Sequence, residues 1–103
     1  MSQGLRDHEG RSIRLTDDRL QHIRRRAEMT GQEAKIEETL LTPDLVIESR
    51  QDPSVRLYHK VYEETPVSRK SMLVAVKILT GDAFVITAFF TDREKQGNRI
   101  WGR

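Results

Sequence analysis

The sequence has 103 residues, 36% of them hydrophobic and 33% charged, with a net charge of +2 and no cysteine. That length builds one core, the apolar share is too high for a disordered chain, and the missing cysteines exclude a disulfide framework and a thiolate zinc site. No apolar run is long enough to span a bilayer, and Met1 to Arg11 lack the apolar stretch of a secretory signal, so a cytoplasmic protein is expected.

Residues 1–11 are polar and aperiodic and read as a flexible lead-in, leaving residues 12–103 as a single domain. Ser12 to Leu15 form either a short strand or an extended lead segment. Thr16 then stands where a helix N-cap belongs, followed by Asp17 and Asp18 in the first turn, where the helix dipole favours anions. Leu15 and Leu20 have the spacing of a hydrophobic staple, and Leu20, Ile23 and Ala27 repeat at helical intervals, which predicts a first helix ending at Gly31. Gln32 to Leu41 set Ile36, Leu40 and Leu41 among Glu33, Glu37 and Glu38, a second amphipathic helix that Pro43 stops. Beyond it the pattern turns β-branched. Leu45 to Glu48, Val55 to Tyr62, Met72 to Leu79 and Ala83 to Thr91 read as strands, the last two joined by Thr80-Gly81-Asp82 and the middle two by an exposed loop around Pro66. The expected fold is α+β, two N-terminal helices packed on a four-stranded antiparallel sheet.

Strand alternation assigns the two faces of that sheet. Val55, Leu57, Val61, Val74, Val76, Ile78, Phe84, Ile86, Ala88 and Phe90 are expected against the helices. Arg56, Tyr58, Lys60, Tyr62, Lys77, Thr87 and Thr91 are expected on the opposite face, together with Val85 and Phe89. Cations and hydroxyls there can hold phosphates, and rings can stack bases. A solvated sheet face explains Lys and Thr equally well, and Tyr58 and Phe89 favour the nucleic-acid reading. Arg19, His22 and Arg26 share one ridge of the first helix, away from its apolar stripe, and can meet phosphates or simply face solvent.

The charge is unevenly placed. Arg11 to Gly31 carry six Arg against three acids, and Gln32 to Ser49 carry five acids against one Lys. A basic region set off from an acidic one suits a polyanionic partner. Three histidines without cysteine and without paired spacing make no metal-ligand set, so no metal and no cofactor is expected, and metal-free acid/base chemistry is what remains. His59 reads as a core histidine and His8 as part of the lead-in.

Leu15-Thr16-x-x-Arg19-x-x-His22-Ile23, Ala27-Glu28-Met29, Ile36 to Leu40, Pro43-Asp44, Arg56-Leu57-Tyr58, Leu73 to Lys77 and Phe84 to Phe89, with Trp101 in a closing tail, together resemble a family of phage and mobile-element nucleases grouped with barnase, EndoU, colicin-type and RelE-like toxins. The resemblance implies a RelE/barnase-like fold whose open sheet face binds RNA. It also implies metal-independent cleavage, in which the ribose 2′-hydroxyl attacks the adjacent phosphorus. On that basis His22 is the base or the acid, Thr87 matches the family's strand threonine, and Lys77 with Arg56 or Lys60 offsets the charge of the phosphorane. Arg19, Arg26, Arg56, Tyr58, Lys60 and Thr91 are then RNA-binding residues, and a toxin of this kind implies a protein inhibitor or antitoxin. Where members of that family often read His-Pro-Glu-Met, this chain has Arg26-Ala27-Glu28-Met29. Arginine stays protonated and supplies only charge. The alternative expectation is therefore a non-catalytic RNA- or protein-binding module of the same fold.

Overall fold

The computed structural model describes residues 2–63, 70–93 and 97–102. In chain order these form β1 (Ser2–Arg6), β2 (Ser12–Thr16), α1 (Asp17–Arg24), a 3-10 turn (Ala27–Met29), α2 (Glu33–Leu41), β3 (Leu45–Ser49), β4 (Val55–Tyr62), β5 (Lys70–Leu79), β6 (Asp82–Thr91) and β7 (Gly97–Gly102). The strands make one mixed seven-stranded sheet in the order β1-β2-β6-β5-β4-β3-β7, where β2 and β6 run parallel and every other pair antiparallel. The four-stranded antiparallel sheet expected from the sequence is thus corrected: its strands are the centre, and three more lie outside them. The loop expected around Pro66 lies outside the described residues.

The added strands come from turn chemistry and close backbone approach, neither of which leaves an apolar period. Ser2–Arg6 pairs with Ser12–Thr16 because the Asp7 carboxylate accepts the backbone N–H groups of Glu9 and Arg11, both at 2.9 Å, and folds the chain back on itself. At the other edge β7 lies against β3, and a Cβ at Gly97 or Gly102 would collide with the backbone carbonyls of Glu48 and Asp44. Gly102 also takes φ +97°, which L side chains rarely adopt.

Helix α1 begins where the sequence predicts, with the Thr16 hydroxyl accepting the Arg19 N–H at 3.2 Å. It stops at Arg24, short of Gly31, because Arg26 takes an extended conformation and the chain re-enters a 3-10 turn that buries Met29. Helices of eight and nine residues are marginal alone. Burial of Leu20, Ile23, Ile36 and Leu40 against the sheet holds them. Each such side chain contributes about 1.5–3 kcal/mol, more than a cap does.

The helix-side face of the sheet comprises Ile13, Leu15, Val46, Tyr58, Met72, Val74, Val76, Ala83, Val85, Ala88 and Phe90, all buried with the helix residues in one cluster. Two parts of the expected face assignment are overturned. On β4, Tyr58 faces the helices, opposite Val74, so Arg56, Lys60 and Tyr62 share its side while Leu57, His59 and Val61 turn away. On β6, Val85 pairs with Val76 but Thr87 pairs with Ala75, so Ile86 is an extra residue that shifts the alternation. Phe84 and Ile86 thereby leave the helix side, while Ala88 and Phe90 keep it.

Candidate nucleic-acid interface

The sheet's second face is built from the residues left over by that alternation. Going across β4, β5 and β6, its rows are Val55, Lys77 and Phe84; Leu57, Ala75 and Thr87; His59, Leu73 and Phe89; and Val61, Ser71 and Thr91. A groove of about 510 Å³ runs over it, floored by Val55, Leu57, Ala75 and Ile86 and walled by the 49–52 loop. That loop is shaped by its own side chains. The Ser49 hydroxyl accepts the N–H groups of Gln51 and Asp52, and the Asp52 carboxylate accepts both the N–H and the hydroxyl of Ser54. The Lys77 ammonium donates to Asp52 at 2.6 Å across the groove wall, and with Ser54 this pulls the Asp52 carboxyl down to about 2.

Three features give this face chemistry. Lys77 brings a half-buried cation. Arg26 adds a second, its guanidinium 4.9 Å above the centre of the Phe89 ring, so the 3-10 turn after α1 delivers charge to the sheet. The Thr87 hydroxyl lies beside the groove floor, buried, and among the described residues it has no hydrogen-bond partner. An unpaired hydroxyl in that position costs stability unless a ligand uses it.

The other residues singled out from the sequence are distributed differently. His22 is exposed on α1 with Arg19 half-buried beside it; its backbone carbonyl accepts the Arg25 N–H, while among the described residues its imidazole makes no hydrogen bond or ion pair. Thr91 closes β6, its hydroxyl donating to the Arg93 carbonyl and accepting the Arg93 N–H. Arg56, Tyr58 and Lys60 lie on the helix side. Lys60 donates to the Thr42 carbonyl at 2.9 Å, ending α2, and Arg56 reaches Glu9 at 3.4 Å. Tyr58 is fully buried and donates to Asp7 at 2.7 Å. Burial and the Asp7 carboxylate push its phenol above the usual tyrosine range, so it cannot carry protons in place of an imidazole. The structure therefore brings Lys77, Thr87, Thr91 and Arg26 onto one face and puts Arg56, Tyr58 and Lys60 on the other.

Sequence reasoning missed the β1–β2 turn. Asp7 is buried there, and burial alone would raise its carboxyl. The Tyr58 hydroxyl, the N–H groups of Arg11 and Glu9 and the Arg11 guanidinium outweigh it and hold Asp7 below the usual carboxylate range. The signal that could have exposed this turn is Asp7-x-Glu9-Gly10, an aspartate followed by a glycine that takes φ +83°. Asp7, His8 and Glu9 offer ligand atoms within 4.8 Å of one another. They suit a cation poorly, since the two Asp7 oxygens already take four donors and the Arg11 and Arg56 guanidiniums stand alongside.

Among the described residues no helix is long and apolar enough to cross a membrane. Neither the curated proteins nor the solved structures give a match to this chain. Residues 3–103, nearly the whole chain, match the family described as phage-Barnase-EndoU-ColicinE5/D-RelE like nuclease2, and the chain belongs to that family.

Proposed function

We propose that this nuclease-family domain is a ribonuclease that acts in the cytoplasm, binds RNA on the second face of the sheet and cleaves it without a metal ion. The observation that carries the reading is that Lys77, the unpaired Thr87 hydroxyl and, over Phe89, Arg26 lie on the sheet face that also bears a groove with an apolar floor. A base lies on that floor, and its phosphate faces the cations. The ribose 2′-oxygen bonds to phosphorus as the P–O5′ bond breaks, leaving a cyclic phosphate and a free 5′-hydroxyl. For this step the bound strand must also reach over the sheet edge to His22, which α1 carries on the helix side. His22 then takes the 2′ proton or returns one to the leaving oxygen, while Lys77 and Arg26 offset the charge on the phosphorane and Thr87 donates to one of its oxygens. A protein inhibitor or antitoxin is the partner that this reading implies.

The test is incubation of purified protein with labelled RNA in EDTA, reading for cyclic-phosphate ends. Cleavage that survives EDTA and falls in His22→Ala and Lys77→Ala supports the proposal. A second reading, binding without cleavage, is favoured by the Tyr58 phenol, buried on the helix side and pushed above its usual range, and by Arg26, an always-charged residue at the position where the family resemblance implies a histidine. Salt-sensitive RNA binding with no cleavage of any RNA would establish that reading instead.

A further inference from the structure

The β1–β2 turn holds a second group of side chains, on the helix side of the sheet and separate from the groove. His8 packs on Trp101 with ring centres 4.6 Å apart and planes tilted by 51°, yet Trp101 remains 45% exposed. Its indole therefore has one part covered by an imidazole and much of the rest open to solvent. The ring is carried on a fixed strand, because Gly97 and Gly102 press β7 against the backbone at Glu48 and Asp44. Beside it, one oxygen of Glu9 lies 3.4 Å from Arg56, 3.8 Å from Arg11 and 3.9 Å from His8. A carboxylate that is 57% exposed thus occupies the point where two guanidiniums and an imidazole converge. A phosphate offers more charge and more acceptor oxygens at such a point, and an open indole stacks any nucleobase.

We propose that the hairpin tip is a nucleotide subsite, in which a base stacks on Trp101 and the adjoining phosphate displaces Glu9 from between Arg56, Arg11 and His8. The ligand is a nucleotide, free or within single-stranded RNA. β7 is an edge strand, so an RNA seated on the second face reaches Trp101 over that edge. The subsite rests on the nucleic-acid reading of the domain but not on cleavage.

Trp101 is the sole tryptophan, so its fluorescence reports on the site directly. The full chain is titrated with 5′-AMP and, separately, with a short 2′-O-methyl oligonucleotide, which lacks the attacking hydroxyl and stays intact. Saturable quenching that weakens with added salt is expected. Quenching by 5′-AMP alone identifies a free nucleotide as sufficient, and quenching only by the oligonucleotide identifies the strand. Arg56→Ala should weaken binding about tenfold, whereas Glu9→Gln should tighten it by removing the competing anion. If Arg56→Ala does not fold, Arg56→Lys keeps the charge, loses the planar fork and should still bind more weakly. The proposal is overturned if neither probe quenches, if the Arg56 variants leave binding unchanged, or if Glu9→Gln weakens it. A protein that cleaves RNA but shows no quenching loses only the subsite, and one that is quenched but cleaves nothing keeps the subsite and loses the ribonuclease reading.

Discussion

The Tyr58 hydroxyl donates to the Asp7 carboxylate at 2.7 Å in the protein interior, joining β4 to a turn 51 residues earlier. This one bond links the centre of the sheet to the hairpin that forms its far edge. It also explains why an aromatic residue with a polar end takes an inward position on β4 that the alternation of Val55, Leu57 and Val61 argues against.

Tyr58→Phe should therefore destabilise the domain although it keeps the ring. The variant leaves Asp7 buried with one donor fewer, a loss of about 1–3 kcal/mol. For a domain of this size about 1 kcal/mol lowers the melting temperature by roughly 4–8 °C. Thermal unfolding by circular dichroism checks this, and an unchanged melting temperature would show the bond to be dispensable.

Acid should unfold the domain through the carboxylates that the fold has paired. Asp52, held by Lys77 and Ser54, titrates at about 2 instead of the ordinary 3.8. Asp82 is held below its ordinary value by Arg14, Glu33 by Arg24, and Asp7, against its own burial, by Tyr58 and the turn N–H groups. Each of these groups is protonated more readily in the unfolded chain than in the folded one. Their stabilising contribution is thus complete above the unfolded values and disappears as pH falls through the folded ones. Urea unfolding across this range should show stability falling with acidity, and Lys77→Met should flatten the part of the slope that belongs to Asp52.

The spans of the central strands and the Thr16 cap were legible because both are local: apolar β-branched runs, and a hydroxyl before two aspartates. What could not be read was parity. A single extra residue, Ile86, moves Phe84 and Ile86 off the helix side, and nothing in the run Phe84 to Phe90 marks it. On β4 both parities carry residues able to be buried, and the choice between them depends on Asp7, in a segment with no apolar period of its own. The same error spread to the site, since Arg56, Tyr58 and Lys60 were grouped with Lys77 and Thr87 across the thickness of the sheet.

Arg26→His should raise RNA cleavage. The arginine sits over Phe89 on the groove face but cannot exchange a proton, and a histidine there supplies the second acid/base group. Positioned general acid–base catalysis contributes roughly 10²–10⁴-fold, so even an imperfect placement should be measurable. A bell-shaped pH–rate profile, present in the variant and absent from the parent, would identify the new group. Unchanged or lower activity would mean that the Arg26 charge matters more than a proton at this position.

Thr87→Val separates stability from function most sharply. The Thr87 hydroxyl is buried without a partner among the described residues, so the folded protein bears a desolvation cost of about 1–3 kcal/mol for it. Valine has nearly the same shape and no polar atom, and Thr87 is on a strand, where a β-branched residue is favoured. The variant should be as stable as the parent or more so. If the hydroxyl donates to the phosphorane, RNA cleavage should nevertheless fall by about 10²-fold, the effect of losing one donor to developing charge. Measuring melting temperature and cleavage on the same preparation decides the matter. A rise in stability with full activity would make Thr87 an ordinary strand residue, whereas a stable protein with reduced turnover is what a hydroxyl reserved for substrate produces.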